Sequence, residues 1–233
     1  MEEEKYTDGD ETLKDKIKKS YKKNADRSKK VGKEILEWVL CFVIAYVIYL
    51  NINFFIGTIS GVKQVSMIPT AKENERVLIQ STTLFKKDLK YGDIITFEAP
   101  LDKLNKDDYD PSNLIAEYND YKGINNFLYS FVGIGKVTYI KRVIGLPGDH
   151  IVISQDGNVY RNDERLVEDY LNDDTTNISG VYSDVVVPEG TIFVMGDNRL
   201  QSKDSRVFGC IPISRVNGYV VIRVWPFNKI GTL

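Results

Sequence analysis

One stretch limits this chain more than any other. From Trp38 to Ile56, nineteen residues are apolar or aromatic except for Asn51 and Asn53. A helix rising about 1.5 Å per residue over that length nearly spans a bilayer core of about 30 Å. Its apolarity runs all the way round, whereas a surface-packed helix is apolar on one stripe. A buried core helix is the alternative. The flank favours the membrane. Lys14, Lys16, Lys18, Lys19, Lys22, Lys23, Arg27, Lys29, Lys30 and Lys33 face only Asp15 and Asp26. Such a segment is either a solvated basic face or a juxtamembrane stretch drawn to anionic lipid. Trp38 and the aromatics from Tyr46 to Phe55 suit interfacial anchoring. The charged leader is too long for a cleaved secretory signal, and no small-x-small site directly follows the run. The pattern therefore predicts an uncleaved signal anchor at 34–57 in the cell membrane. The positive-inside rule puts 1–33 in the cytoplasm as a disordered tail, acidic and then basic, and 58–233 outside.

Some 170 residues remain, roughly enough for a real hydrophobic core. Their pattern is short β runs between turns. Val62 to Val65, Arg76 to Gln80, Asp93 to Phe97, Lys136 to Ile144 and Gly218 to Trp225 are such runs. His150 to Ser154 and Val159 to Arg161 flank Asp156-Gly157, a hairpin signal. Val185 to Val187 and Thr191 to Met195 flank Pro188-Glu189-Gly190 in the same way. The expectation is a mainly β domain, a barrel or folded sheet, with no further helical period. Residues 101–135 interrupt it as an insertion. Asp107, Asp108, Asp110, Pro111 and Asn113 make its first half polar; Phe127, Leu128, Tyr129, Phe131 and Val132 make its second half aromatic. It reads as a long surface excursion or as a flap touching membrane or substrate.

Counts narrow the chemistry. A net charge of −2 argues against nucleic acid as the main partner. Cys41 and Cys210 are the only cysteines and fall in different environments, so neither a disulfide nor a zinc-type cluster is expected. No cofactor or metal is called for. The single histidine, His150, follows Pro-Gly-Asp and looks like a turn residue, a poor candidate for a catalytic base.

A serine hydroxyl is a weak nucleophile and needs a base beside it. Where histidine is wanting, a lysine can serve if it is neutral. Bringing its pKa from about 10.4 to about 7–8 takes burial worth roughly 4 kcal/mol against the charged form. Ser66 and Lys141 are the candidate pair. Strand alternation puts Tyr139, Lys141 and Val143 on one face and Ile140, Arg142 and Ile144 on the other. Lys141 can then enter a dry pocket while Arg142 reaches a carboxylate. Taken singly, Ser66 to Pro69 could be a strand end with a proline turn, Lys141-Arg142 a solvated basic pair, and Gly196 to Arg199 a polar turn. What counts is their order after an anchor.

In that order the stretches resemble the type I signal peptidases, the membrane-bound leader peptidase family with a serine–lysine dyad. Ser66-Met67-Ile68-Pro69-Thr70 is similar to the nucleophile box, and Tyr91-Gly92-Asp93-Ile94-Ile95-Thr96-Phe97 to the glycine-aspartate strand. Lys141 to Gly145 with Pro147-Gly148-Asp149 resembles the general-base box. Gly196-Asp197-Asn198-Arg199 through Ser202, Asp204, Ser205 and Arg206 resembles the last box. The likeness covers roughly 35–225, in the compact single-anchor form typical of Gram-positive-type bacteria.

The resemblance implies a serine endopeptidase that removes signal peptides from secreted preproteins after small-x-small sites. Ser66 would form an acyl-enzyme, with Lys141 as general base. Ser202 would hydrogen-bond and orient the lysine amine, and the pairs Asp204–Arg206 and Arg142–Asp197 would hold the boxes together. Val62, Val65, Met67 and Ile140 would line shallow substrate pockets, and the substrate would lie extended along a strand edge. Partners would be secreted preproteins and the lipid bilayer; no oligomeric state is implied. In the oxyanion hole the Ser66 amide would donate. Two positions earlier the family has serine or glycine, but here stands Gln64, the candidate second donor. Two rivals are a membrane-tethered scaffold that does not cut and a self-cleaving serine–lysine repressor. The complete set Ser66, Lys141, Ser202 and Asp204 opposes the first, and the lack of a DNA-binding module opposes the second.

Overall fold

The computed structural model describes residues 8–82, 88–101, 112–119, 122–123, 137–171, 176 and 180–233. The chain divides into two units, one ending at Tyr49 and one from Leu50 to Leu233.

Helix α1 runs from Asp8 to Asn51. Residues 8–33 are thus helical, where the sequence suggests disorder. Lysine and glutamate are good helix formers, no proline interrupts them, and Lys33 pairs with Glu37 one turn on at 3.8 Å. The apolar run is not one continuous α-helix. α1 stops at Asn51, and Ile52–Ile56 forms a π-helical turn. The α-helical apolar part, Trp38 to Leu50, spans only about 20 Å at 1.5 Å per residue. Among the described residues no helix is long and apolar enough to cross a membrane, so the helix expected at 34–57 is not found in that form. Its side chains are nonetheless exposed all round, among them Trp38, Phe42, Val43, Tyr46 and Tyr49.

The second unit is mainly β, as expected. Strands β1 (Gly57–Gly61), β2 (Arg76–Ser81), β3 (Ile94–Glu98) and β4 (Thr138–Gly145) come first. They are followed by β5 (His150–Ile153), β6 (Val159–Arg161), β7 (Glu164–Arg165) and β8 (Asp184–Val186), then β9 (Thr191–Met195), β10 (Ile211–Pro212) and β11 (Val216–Trp225). A one-turn helix α2, Ser205–Phe208, precedes β10. An antiparallel seven-stranded sheet has the order β1-β2-β11-β3-β4-β9-β10, and a four-stranded sheet the order β7-β6-β5-β8. The first hairpin signal holds, since β5 pairs β6 across Asp156-Gly157. The second does not: β8 pairs β5 in the small sheet while β9 pairs β4 and β10 in the large one, so Pro188 to Gly190 turns the chain from one sheet to the other.

Among the described residues three apolar clusters hold the unit together. Phe97, Val143, Val194, Phe208 and Ile211 pack where β3, β4, β9 and α2 meet. Ile151, Val159, Val185 and Phe193 fill the space under the small sheet. Val62, Met67, Ala71, Val77, Ile79 and Ile94 form the third, beneath the turn that carries Ser66. Most of the 101–135 insertion, including Phe127 to Val132, lies outside the described residues. The part that is described is tied down: Ala116 N donates to Cys210 O and Cys210 N to Leu114 O.

Register opens one edge that matters. β4 pairs β3 along Thr138 to Arg142, but its pairing with β9 begins only at Arg142. The other side of Thr138 to Ile140 is therefore free of β9.

Candidate active site

Ser66 sits in a 3-10 turn, Val65–Met67, just beyond β1. The turn is pinned from below by Met67, whose side chain is fully buried. It is pinned from the side by Asn198, whose backbone N–H donates to the Ser66 carbonyl. Ser66 itself is 4% exposed.

Lys141 lies in the middle of β4, opposite Ile95 of β3, and is 1% exposed. Its Nζ donates to Ser66 Oγ at 2.7 Å. Burial pulls the amine from its ordinary 10.5 down to about 8. Asp204 works against that fall, Arg206 adds to it, and Asp197 opposes it again. The nitrogen also stands 5.5 Å from the centre of the Tyr139 ring.

The strand alternation read from the sequence holds. Arg142 points away from Lys141 and makes a two-pronged pair with Asp197, Nε to Oδ1 at 2.8 Å and Nη2 to Oδ2 at 2.7 Å. Thr70 Oγ1 donates to the same carboxylate, and Arg142 Nη1 donates to Gly92 O at 3.0 Å. Asp204 and Arg206 pair through Nε to Oδ1 and Nη2 to Oδ2, both at 2.8 Å. Gly196 N also donates to Asp204 at 3.0 Å. Burial alone would raise the Asp204 carboxyl, but the Arg206 guanidinium and the Gly196 N–H outweigh it and hold the group below the usual range.

Two expected roles are not met. Ser202 Oγ does not hydrogen-bond the lysine amine. It is buried without a partner, near enough to Asp204 to favour that carboxylate but outside hydrogen-bond geometry. The turn Arg199–Gln201 sets its backbone and so fixes where the hydroxyl can reach. Met67 does not line a substrate pocket either, because the 3-10 turn rotates it into the core where a strand would have turned it out.

A groove of about 390 Å³ runs beside the pair, lined by Val62, Gln64, Val77, Thr138, Tyr139 and Ile140 among others. Of the candidate pocket residues, Val62 and Ile140 line the groove, and so does Gln64, the candidate oxyanion donor. Val65 does not; the residue is 38% exposed. Ser66 and Lys141 do not themselves line the groove; Lys141 directly follows Ile140, and Ser66 lies two residues beyond Gln64.

His150 is far from any base role in its contacts: its Nε2 meets Asp184 Oδ1 at 2.7 Å on the surface. Among the described residues no cluster could hold a metal ion.

Sequence reasoning missed three residues. Arg199 is 1% exposed, and its guanidinium is bound by Glu168 and by Thr176 Oγ1, the latter at 2.7 Å. Tyr170 donates to Glu168 Oε1 at 2.7 Å, and the Arg142 guanidinium stacks on its ring at 4.1 Å. Glu168, Tyr170 and Thr176 lie in a polar stretch with no periodic pattern. An unpaired arginine in the last box was the one available signal.

Comparison with known proteins bears on all of this. The model for "Signal peptidase, peptidase S26" matches residues 35–225. Signal peptidase IB of Staphylococcus aureus (strain COL) is 32% identical over 212 residues, covering 84% of this chain and 93% of the relative. A crystal structure of a signal peptidase I from Enterococcus faecalis V583 is 28% identical. It covers 58% of this chain and 98% of that one, with a TM-score of 0.37, too low to bear on the fold. With a match over that span and a relative at that identity, the chain belongs to the signal peptidase family, peptidase S26.

Proposed function

We propose that the protein removes N-terminal signal peptides from secreted preproteins as a serine endopeptidase, with Ser66 as nucleophile and Lys141 as general base. The observation that carries this is the 2.7 Å hydrogen bond between two buried side chains, one of them an amine with a lowered pKa. With a pKa of about 8, roughly a tenth of the amine is neutral at pH 7. The neutral nitrogen takes the proton from Ser66 Oγ as the oxygen attacks the scissile carbonyl. The resulting ammonium gives that proton to the leaving amine, which departs as the new N-terminus of the mature protein. A water molecule, deprotonated by the same nitrogen, then releases the signal peptide from the acyl-enzyme.

The substrate lies extended in the groove, main chain against the free side of Thr138 to Ile140. Val62 and Ile140 leave room there for small side chains, consistent with small-x-small sites. The oxyanion forms near the Ser66 N–H, with the Gln64 amide as second donor. Arg142–Asp197 and Asp204–Arg206 hold the strand and the last turn in place. The basic flank and the all-round apolar part of α1 support attachment to a membrane, with the catalytic unit outside.

The test is cleavage of a preprotein by the detergent-solubilised full chain beside Ser66→Ala and Lys141→Ala. Both variants should be inactive, and wild-type rates in both would refute the mechanism. For topology, Glu164→Cys should react with an impermeant thiol reagent on intact cells and Ser20→Cys should not. The opposite labelling would reverse the orientation.

A further inference from the structure

Glu168 stands outside all four motif stretches, on the connection between β7 and β8. Its carboxylate binds the Arg199 guanidinium from two sides, Oε2 receiving Nη1 at 2.9 Å and Oε1 receiving Nη2. Side-chain exposure is 0% for Arg199 and 7% for Glu168, so water contributes little to this pair. Oε1 also accepts the Tyr170 hydroxyl, and Tyr170 in turn carries the Arg142 guanidinium on its ring. One carboxylate therefore touches, directly or through one phenol, the arginines of two motif stretches.

Arg199 is no idle cation. Its Nε donates to Gly196 O at 3.1 Å, and its own carbonyl accepts from Arg206 Nη2 at 2.9 Å. The turn from Gly196 to Ser202 is thereby closed on itself. That turn holds the nucleophile, because Asn198 N donates to Ser66 O at 3.0 Å. The packing leaves no slack: a Cβ at Gly196 would stand 2.5 Å from Ser66 O.

We propose that Glu168 is a positioning residue for the reaction at Ser66, acting by fixing Arg199 and through it the turn that locates the nucleophile against Lys141. This rests on the Ser66–Lys141 reading above. A buried guanidinium without its anion moves toward water. Arg199 then releases Gly196 O, the turn relaxes, and Ser66 shifts from the amine. The groove is lined by residues 60–64 and 137–140 and others outside this turn, so substrate binding is spared.

The experiment uses the detergent-solubilised full chain, with kcat expressed per site titrated by a serine-directed acylating probe, well below the thermal midpoint of every variant. Glu168→Gln should lower kcat about 10-fold and Glu168→Ala about 100-fold, with KM within about twofold of wild type. Glu168→Ala with Arg199→Met removes the stranded charge and should recover the thermal midpoint but not kcat. Wild-type kcat per titrated site in Glu168→Gln overturns the proposal, as does joint recovery of midpoint and kcat in the double variant. Ser66→Ala run alongside separates the two levels. If it is inactive while Glu168→Gln is unimpaired, only the positioning role fails. If Ser66→Ala still cleaves, the dyad reading fails and the positioning role with it.

Discussion

Asn198 donates its backbone N–H to the carbonyl of Ser66 at 3.0 Å, and its side-chain amide donates to the carbonyl of Val65 at 3.2 Å. Two stretches more than a hundred residues apart are thus joined at the nucleophile by both main chain and side chain. The main-chain bond survives any substitution at 198 except proline; the side-chain bond does not. A typical net hydrogen bond contributes about 1 kcal/mol, or roughly a fivefold rate change if it is fully expressed in the transition state. Asn198→Ala should therefore lower kcat by about fivefold and leave the fold intact, read from cleavage rates and circular dichroism. A loss of several orders of magnitude would mean that Asn198 meets the substrate.

Gly196 leaves no room for a side chain. A Cβ there would lie 2.3 Å from Ser202 Oγ, which can rotate, and 2.5 Å from Ser66 O, which is backbone and cannot give way alone. Gly196→Ala should push the nucleophile turn outward. Overpacking of this kind costs about 1–3 kcal/mol, and a misplacement near 1 Å costs about 100-fold in rate. Thermal melts and single-turnover cleavage measure the two effects separately. Wild-type kinetics would show that the turn is looser than its contacts imply.

Lys141 weakens the fold that it serves. Its amine titrates at about 8 in the folded protein against about 10.5 when unfolded. Between those values the unfolded chain binds more protons, so stability rises as pH increases through that window. Below pH 8 the folded state carries the full penalty, of order 3 kcal/mol at 1.36 kcal/mol per pKa unit. Lys141→Met should abolish catalysis, raise stability at pH 7 and flatten its dependence between pH 8 and 10.5. Urea titrations at about pH 7 and pH 9.5 check the sign. A less stable Lys141→Met at neutral pH would mean that contacts of the buried ammonium outweigh its desolvation.

Asp204 opposes the fall in the lysine pKa. Asp204→Asn removes that opposition and leaves Arg206, which pushes the same way as burial. The midpoint of residual activity against pH should move below about 8. Stability should also drop by about 3–5 kcal/mol, because the Arg206 guanidinium loses its buried partner. An upward shift of the midpoint would place some other group in control of the titration.

The opposed directions of Lys141 and Arg142 were legible because strand alternation is a local rule. Tyr139, Lys141 and Val143 alternate with Ile140 and Arg142, and the β4 pairing keeps that alternation. Arg142–Asp197 and Asp204–Arg206 were legible from the resemblance, and both form. Met67 came in as a pocket residue from the resemblance alone, which does not register that the 3-10 turn buries this side chain in the core. Ser202 was misread because the Arg199–Gln201 turn sets where its backbone sits, and no local pattern announces that turn. Glu168 acts on Arg199 from 31 residues away in a stretch without periodicity, so only the folded chain brings it into view. Disorder is expected over 1–33 from its charge and its lack of apolar pattern, yet lysine and glutamate also favour helix, and 8–33 is helical.

The central claim is that an uncharged Lys141 activates Ser66. The most direct measurement is kcat/KM between about pH 5.5 and pH 10, for the full chain acting on a preprotein whose own groups do not titrate in that range. The rate should rise tenfold per pH unit and level off with a midpoint near 8, the value burial imposes on the amine. A profile already flat from pH 6, or one that climbs only toward the 10.5 of an ordinary lysine, would contradict it.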